Sequence, residues 1–270
     1  SIQNQTCRNW EFIIADDGST DASPAIVAAY AAHDPRVRRV HLRHRGIVAA
    51  LQEGCALARA PFLARMDADD IAEPDRLEKQ HAYMVAHPDT DLCGTHVRMF
   101  GAEIGEGRSR YAEWLNSLET HEDIVRELFV ECPVAHPTFF LRRDVFERVG
   151  GYEEHGWAED YDLCMRLFLA GARFGMVSEP LLGWRESRGR LSMQSDRYSL
   201  GRFRALKRAY LERSYRYNRS RNARSSARTR PTEHPAAYMD LRPRDSRHPR
   251  NGPDTLPNHE PARNSSMQRT

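Results

Sequence analysis

The sequence predicts an α/β protein built on a mostly parallel sheet flanked by helices. The first observation is a repeated alternation of short apolar runs with helix-like stretches across residues 11–97. The second is that two of these apolar runs end in acidic clusters, and open parallel sheets bind ligands at the carboxyl ends of their strands. The third is a change near residue 214, where apolar periodicity stops and Arg, Ser, Pro and Asn dominate.

The first hundred residues contain four predicted strands separated by three predicted helices. The strands are EFII (11–14), VRRVHL (37–42), PFLARM (61–66) and DLCGTHV (91–97). The first helix is expected to open at Ser23 and Pro24 and to run to Tyr30, since Ser is a favoured N-cap and Pro a favoured first helical residue. The other two helices are GIVAALQEGCALARA (46–60) and the stretch that begins at Pro74.

The second half is less regular, but several helix signals remain. A T-x-x-D capping pattern at Thr120 introduces an amphipathic helix over 121–130. The segment 136–152 predicts a strand, a short helix and a glycine stop, and AEDYDLCMRLFLAG predicts a helix that ends at Gly171. We assign residues 1–213 to one folded domain and residues 214–270 to a disordered basic tail.

Composition excludes several classes of protein. Residues 214–270 hold 12 Arg and five acids, about +7, so residues 1–213 carry about −5 and the basic pI indicates no nucleic-acid groove in the folded part. No run of 18 apolar residues predicts a membrane span, and the N-terminus shows no secretory signal. Five widely spaced cysteines predict reduced thiols in a cytoplasmic protein. Because the chain lacks an initiating Met, we expect it to start inside a longer one.

Two acidic clusters follow predicted strands: ADDGSTD (15–21) and DADD (67–70). Turn formation explains the first cluster as well as a binding role does. In the second cluster Asp67, Asp69 and Asp70 repel one another, each like-charge pair at ~4 Å costing roughly 4 kcal/mol at an effective dielectric constant of about 20. Hard oxygen ligands suit Mg²⁺ or Mn²⁺, which often bind through one or two carboxylates plus substrate phosphates. We therefore predict a divalent metal carrying a diphosphate.

A third acidic feature is GWAEDYDL, where Glu159 and Asp160 stand at a helix start. Such acids are also favoured there by the helix dipole alone. The functional interpretation is a general base, which requires a partly dry pocket because an ordinary Asp has a pKa of about 3.9. Trp157 and Tyr161 are the residues expected to supply that pocket.

Three motifs in this order and spacing resemble family 2 glycosyltransferases of the GT-A, Rossmann-like fold. They are EFIIADDGSTD, ARMDADDIAEPDRLEKQ and GGYEEHGWAEDYDLCMRL, and the resemblance extends over residues 1–195. It implies an inverting, metal-dependent transfer from a nucleotide-diphosphate sugar to a glycan or glycolipid acceptor, as in surface polysaccharide synthesis. The chain lacks the Q-x-x-R-W signature of processive synthases, so single-sugar transfer is expected.

The resemblance also assigns roles to individual residues. Asp16 and Asp17 would hold the nucleoside, and Arg45 would face the diphosphate. Asp67, Asp69 and Asp70 would hold ribose, sugar and metal, with Asp69 and Asp70 as the metal ligands. Asp160 would be the base. His136 is a candidate for the acceptor side, although a His before Pro in a loop is more often part of a packed turn. Arg185 and Arg188 are either contacts of the leaving diphosphate or solvated arginines.

The sequence departs from the family pattern in ways that leave alternatives open. The family's first strand is expected before Ser1, and His44 and Gln52 stand where the family has Asn. The chain is therefore interpreted either as a transferase or as an inactive truncated fragment or binding remnant. A haloacid-dehalogenase-type phosphatase is a further alternative, in which Asp67 would be the nucleophile assisted by Lys79 or Lys207. The tail is either a basic arm that contacts anionic membranes or a non-functional extension, and we favour the second.

Overall fold

The computed structural model describes residues 1–101, 104–187, 189–190, 193 and 195–225, with side chains up to residue 215. Its strands are β1 (Phe12–Asp16), β2 (Val37–His41), β3 (Phe62–Ala64), β4 (Ile71–Ala72), β5 (Leu92–Phe100), β6 (Phe140–Arg142) and β7 (Phe174–Arg185). Its helices are α1 (Ser23–His33), α2 (Ile47–Ala56), α3 (Arg76–Ala86), α4 (Glu106–Asn116), α5 (His121–Glu127), α6 (Arg143–Arg148), α7 (Glu159–Leu169) and α8 (Leu200–Ser225). Single 3₁₀ turns cover His136–Thr138 and Asp196–Tyr198.

The strands form a two-stranded and a five-stranded sheet with helices packed against them. The smaller sheet is the parallel pair β1–β2, and the larger has the order β3-β6-β5-β7-β4. The long pairing of the larger sheet, β5 with β7, is parallel, whereas its antiparallel pairings extend over only two or three residue pairs each. The predicted α/β class with a mostly parallel sheet is therefore confirmed, whereas strand β4 and the antiparallel pairings of β3, β4 and β6 were not predicted.

Local sequence signals account for most element boundaries. Thr120 and Asp123 form the predicted capping box at the start of α5, and Gly171 follows α7 at φ +82°, a conformation that glycine adopts without steric cost. The N-cap of α1 is Ala22 rather than the predicted Ser23, whose backbone N–H is instead bound by the Asp21 carboxylate at 2.9 Å. Helix α8 continues past the predicted boundary at residue 214 to Ser225, and the remaining predicted tail lies outside the described residues.

Helix α4 and strand β7 are absent from the sequence prediction. Pro180 and Glu179 interrupt the apolar pattern of β7, and a proline argues against a strand inside a sheet. The structure accommodates Pro180 at a register shift opposite His96, where the parallel ladder with β5 is already irregular. Consequently, β7 is the longest strand among the described residues although its sequence does not resemble one.

Helix α7, which carries Glu159 and Asp160, is the most deeply packed helix around the main core. Eight of its 11 residues are buried, and its apolar side chains pack against those of α5 and β6. Burying one such apolar side chain contributes about 1.5–3 kcal/mol. The two acids at the start of α7 therefore project from a fixed support.

Among the described residues, no helix is both long and apolar enough to cross a bilayer.

A buried carboxylate, Asp162, ties α7 to its surroundings. Its Oδ1 accepts hydrogen bonds from Trp157 Nε1 at 2.8 Å, from Tyr210 OH at 2.7 Å and from His155 Nδ1 at 3.1 Å. Its Oδ2 accepts from Arg166 Nε at 2.8 Å. The side chain is fully buried, so these donors replace the water that an ionised group requires. Asp162 thus fixes the loop before α7 and helix α8 in one arrangement.

Replacing Asp162 with Ala should lower the free energy of unfolding by about 3–5 kcal/mol, because the nearly buried Arg166 loses the nearer of its two carboxylate partners and three further donors lose their acceptor. Urea denaturation measures the change. The control is Glu212→Ala, which removes an exposed partner of Arg208 and should cost no more than about 0.5 kcal/mol. A loss below about 1 kcal/mol for Asp162→Ala would contradict its assignment as a structural support.

Candidate active site

The acids after β1 are engaged with backbone groups of neighbouring turns. Asp17 accepts the N–H of Arg45 at 2.8 Å on one carboxylate oxygen and the N–H of Gly46 at 2.7 Å on the other. Asp16 accepts the Ser19 N–H at 2.9 Å, and this bonding lowers the pKa of Asp16. Each carboxylate oxygen has a second lone pair, so the bonds shape the turn before α2 without using the full acceptor capacity of Asp17.

This turn carries a left-handed residue at the place where the family pattern has Asn. His44 has φ +50°, a conformation that costs most residues about 1–2 kcal/mol and that Asn adopts more readily. The Arg45 guanidinium that follows pairs with Glu53 at 2.9 Å and is 59% exposed. Arg45 and Glu53 line a surface cavity of about 260 Å³, together with α2 and the loop that contains Tyr152. Arg45 therefore lines a cavity, whereas its ionic partner Glu53 is an acid of the helix that follows it, α2.

The loop that contains Tyr152 is held against α2 by Gln52, the second departure from the family pattern. The Tyr152 N–H donates to Gln52 Oε1 at 2.9 Å. A Cβ at Gly151 would stand 2.5 Å from the same oxygen, and its φ of +68° also requires glycine. The hydroxyl of Tyr152 is hydrogen-bonded to His136 Nε2 at 2.7 Å. His136 is buried and burial lowers its pKa well below the usual range, so its position is explained by packing rather than by acceptor contact.

A positive charge already lies within the DADD cluster. Arg65, at the end of β3, makes two hydrogen bonds to Asp67, of 2.6 and 2.5 Å. The side chain of Arg65 is 11% exposed, and its Nε is buried without a hydrogen-bond partner. Asp67 is thus bound to a guanidinium in this structure, and one third of the predicted acidic cluster is neutralised from within the same motif.

The other two acids of the cluster are held by Arg185. The Arg185 backbone N–H donates to Asp70 Oδ1 at 2.8 Å, and its Nε–H donates to the carbonyl oxygen of Asp69 at 2.7 Å. Burial, together with the charges of Asp67 and Asp69, raises the pKa of Asp70 to about 7. The second oxygen of Asp70 is buried and accepts no hydrogen bond from the described part of the chain. Arg188, the other predicted basic residue, lies outside the described residues.

The residues present suit a divalent cation of the Mn²⁺ or Mg²⁺ kind. The unpartnered Asp70 oxygen and the exposed Asp69 carboxylate are hard donors, which such ions prefer. In the part of the chain that the structure describes, no group of three His, Cys, Asp or Glu side chains is arranged as a ready metal cage. A two-carboxylate arrangement fits an ion that takes its remaining ligands from phosphates and water.

The pair at the start of α7 forms a second acidic centre. Burial raises the pKa of Asp160 to about 6, with the charge of Glu131 adding to the effect and the charge of Arg65 opposing it. Burial and the charge of Asp160 raise the pKa of Glu159 to about 7. The Glu159 oxygens accept from Tyr198 OH at 3.0 and 2.9 Å. Asp160 is half-buried and titrates close to neutral pH, as a base for an alcohol requires.

The pocket around Asp160 differs from the predicted one. Tyr161 is fully buried in the core and donates to the Leu128 carbonyl oxygen at 2.5 Å, while Trp157 donates to Asp162 at 2.8 Å. Both side chains thus have partners other than Asp160, and it is the Tyr161 backbone N–H that donates to Asp160 Oδ1, at 2.7 Å. The groups that influence its environment are contributed by other segments, among them Arg65 of β3. Sequence reasoning missed Arg65 although it lies inside the quoted ARMDADD motif, because an arginine beside acids is usually a solvated surface residue.

The phosphatase alternative finds no support in the placement of the lysines. Lys79 Nζ pairs with Asp75 at 2.8 Å and also with Glu179. Lys207 is hydrogen-bonded to the Val130 carbonyl oxygen. Asp67, the required nucleophile, is bonded to Arg65 instead of to either lysine.

Comparison with known proteins places this geometry in context. A family model described as Glycosyl transferase family 2 matches residues 1–150. The O-antigen biosynthesis glycosyltransferase WbnJ of Escherichia coli is 33% identical over 190 residues, which cover 68% of this chain and 71% of WbnJ. The match supports a family assignment, since identity above 30% extends over two thirds of the chain.

Two solved structures share the fold at lower identity. S. aureus TarS 1–349 in complex with UDP-GlcNAc superposes with a TM-score of 0.61 at 19% identity, covering 77% of this chain and 59% of that one. The mannosyltransferase PcManGT from Pyrobaculum calidifontis, in complex with GDP-Man and Mn²⁺, gives 0.54 at 20% identity, covering 70% and 52%. The predicted fold class, α/β of the GT-A type, is confirmed by these neighbours. The chain spans less than two thirds of the length of either.

The raised pKa of Asp70 predicts a pH-dependent stability. Between the unfolded value near 4 and the folded value near 7 the folded state binds more protons, so this carboxyl makes stability fall as the pH rises. Burial lowers the pKa of three histidines, so below about pH 6.5 their protonation in the unfolded state makes the stability rise with pH. They are His96, His121 and His136. The free energy of unfolding of the wild type minus that of Asp70→Asn should therefore fall by about 1–2 kcal/mol from pH 5 to pH 8.

Urea denaturation at a series of pH values measures this difference. Asp144→Asn, which alters an exposed acid of α6, is the matched control and should leave the pH profile unchanged. A difference between wild type and Asp70→Asn that rises with pH would contradict the burial of the Asp70 carboxyl.

Proposed function

The chain belongs to glycosyl transferase family 2, and we propose that it transfers one sugar from a nucleotide-diphosphate sugar to an acceptor hydroxyl with inversion. One observation carries the proposal. Arg65 is bonded to Asp67 and influences the ionisation of both Asp70 and Asp160, so acids some ninety positions apart in the sequence share one electrostatic centre. A transferase of this kind needs a donor site and a base side by side, and a cation shared by both groups of acids supports that arrangement.

The donor side of the proposal uses the acids after β1 and the cavity at α2. Asp16 and Asp17 hold the nucleoside, and Arg45, exposed at the edge of the cavity, is free to move from Glu53 to a phosphate. Guanidinium groups bind phosphate through charge-assisted hydrogen bonds, which are stronger than neutral ones. UDP-GlcNAc in TarS and GDP-Man in PcManGT support a nucleotide-diphosphate sugar as the donor. These two donors differ in both base and sugar, so the proposal specifies neither.

The metal side of the proposal uses Asp69 and Asp70, with Asp67 placed for the sugar or ribose. A Mn²⁺ or Mg²⁺ ion bound there would neutralise the negative charge of the departing nucleoside diphosphate. The unpartnered Asp70 oxygen supports this assignment, as does the Mn²⁺ in the PcManGT complex. Arg185 supports the turn by holding the Asp69 carbonyl oxygen and one carboxylate oxygen of Asp70.

The acceptor side of the proposal assigns the proton transfer to Asp160. Its carboxylate accepts the proton of the acceptor hydroxyl while the oxygen attacks the anomeric carbon from the face opposite the diphosphate, which gives inversion. A pKa near 6 makes Asp160 a stronger base than an ordinary Asp and leaves it largely ionised at pH 7. The preceding residue, Glu159, accepts a hydrogen bond from Tyr198 OH, which helps to hold this end of α7 in place.

The biological setting is proposed from the relatives. WbnJ takes part in O-antigen biosynthesis, which supports a glycan or glycolipid acceptor in surface polysaccharide synthesis. We expect such an enzyme to act in the cytoplasm, where nucleotide sugars are available, with peripheral contact to a membrane when the acceptor is a glycolipid.

Asp160→Asn should reduce sugar transfer by about 10²-fold or more, because the amide keeps the shape and removes the proton acceptor. Transfer from radiolabelled UDP- and GDP-sugars to oligosaccharide acceptors, run beside a donor-binding measurement, separates the two effects. Asp144→Asn is the control and should transfer normally. If Asp160→Asn abolished donor binding and extra donor restored turnover, Asp160 would be a binding residue.

Mn²⁺ together with UDP or GDP should raise the melting temperature by about 5 °C or more, and by more than the separate effects of metal and nucleotide. Asp70→Asn should remove most of the cooperative part of this shift, since the buried oxygen that completes the metal site is lost. Thermal unfolding of wild type and variant, with and without Mn²⁺, measures it. A nucleotide shift of equal size in the absence of any divalent cation would sink the metal assignment.

A further inference from the structure

Two arginines and two aromatic rings meet beside the last residues of β7, in a group that we call the Arg108 cluster. Its members are Arg108, Tyr111, Trp184, Glu186 and Arg190. The Arg108 Nε–H donates to Glu186 Oε2 at 2.7 Å, and the Arg108 guanidinium carbon lies 4.8 Å from the ring centre of Trp184 and 5.2 Å from that of Tyr111. Arg190 is hydrogen-bonded through Nη1 to the same oxygen of Glu186.

The charges of the Arg108 cluster do not balance. Among the described side chains of the cluster, two guanidinium groups share one carboxylate oxygen of Glu186, so these three groups together carry one net positive charge. The side chains of Arg108, Glu186 and Arg190 are only 14%, 13% and 21% exposed, so water screens this excess weakly. The Nε of Arg190 is buried and has no hydrogen-bond partner among the residues that the structure describes. An unpaired donor beside an excess positive charge is the arrangement that binds an anion.

The position of the cluster relates it to the D-x-D turn. Trp184 and Glu186 flank Arg185, whose backbone N–H donates to Asp70 Oδ1 at 2.8 Å and whose Nε–H donates to the Asp69 carbonyl oxygen at 2.7 Å. The cluster therefore adjoins, along the chain, the residue that holds the D-x-D turn. Burial raises the pKa of Tyr111, and the charges of Glu131 and Asp160 add to this effect.

We propose that the Arg108 cluster is an acceptor subsite for an anionic sugar, which carries a carboxylate or a phosphate near the attacked hydroxyl. The inference rests on the proposed function and specifies its acceptor class. Arg108 and Arg190 bind the anionic oxygens, while Tyr111 and Trp184 present aromatic surface to the apolar C–H groups of the sugar ring. Glu186 holds the two guanidinium groups together in the absence of the acceptor.

The experiment measures binding to the full chain and needs no turnover. Methyl glucuronide and methyl glucoside differ by a carboxylate at one carbon, and glucose 1-phosphate provides the phosphate arm. Ligand-observed NMR should show about tenfold tighter binding of at least one anionic probe than of the glucoside, the scale of one charge-assisted hydrogen bond. A preference for the glucuronide identifies an acidic sugar as acceptor, and a preference for the phosphate identifies a phosphate ester.

Variants separate this subsite from a general charge effect. Arg108→Gln and Arg190→Gln should each remove the preference for the anionic probe, whereas Arg110→Gln, an exposed arginine of the same helix paired with Glu106, should retain it. Glu186→Gln should bind the anion several-fold more tightly, because the competing carboxylate is gone. A purely structural role of Glu186 predicts no gain, so this variant decides the matter even if an arginine variant fails to fold.

Three results would overturn the inference. Equal binding of the glucuronide, the glucose 1-phosphate and the glucoside by the wild type is the first. The second is unchanged anion preference in both folded arginine variants. The third is loss of UDP and GDP binding in Arg108→Gln, which would assign the cluster to the donor. An intact anion preference in a protein that transfers no sugar from any donor would instead refute the proposed function and leave the subsite in place.

Discussion

The guanidinium of Arg65 is the interaction on which the arrangement of the site depends. It is nearly buried, bonds both oxygens of Asp67 and acts electrostatically on Asp70, Glu159 and Asp160. Several carboxylates can approach one another in a half-dry cleft only if a fixed positive charge offsets their repulsion and loss of hydration. Since Arg65 comes from β3 and Asp160 from α7, this single cation also couples the two parts of the chain that the proposed reaction requires.

The compensation is incomplete, and this is consistent with a site built for a charged ligand. Three acids retain raised pKa values, and one oxygen of Asp70 has no partner. In the Arg108 cluster, two of the described guanidinium groups share the single carboxylate of Glu186, which leaves one net positive charge on these three groups. Folded proteins rarely leave charges unsatisfied without a functional reason, and the stability they lose at such sites is supplied elsewhere. Here the support is the deeply packed α7 with the four hydrogen bonds of Asp162.

Several residues that carry binding roles in the resemblance also have structural roles in this chain. Asp17 holds the turn before α2, and Arg185 holds the D-x-D turn through both its backbone and its side chain. Gln52 performs a comparable task for the loop at Tyr152. A side chain whose rotamer is fixed by hydrogen bonds presents its remaining acceptor or donor atoms in one direction, which favours precise ligand contact.

Local sequence patterns determined the alternation of strands and helices, the capping box at Thr120, the glycine stop at Gly171 and the two acidic motifs, because each depends on residues close together in the chain. Only the tertiary structure decided the rest. Strand β7 forms despite Pro180 because a register shift in β5 accepts it, and Trp157 turns to Asp162 because that carboxylate is buried beside it. Arg65 resembles a surface arginine until the packing of β3 near α7 encloses it, since burial and long-range charge depend on contacts between distant segments.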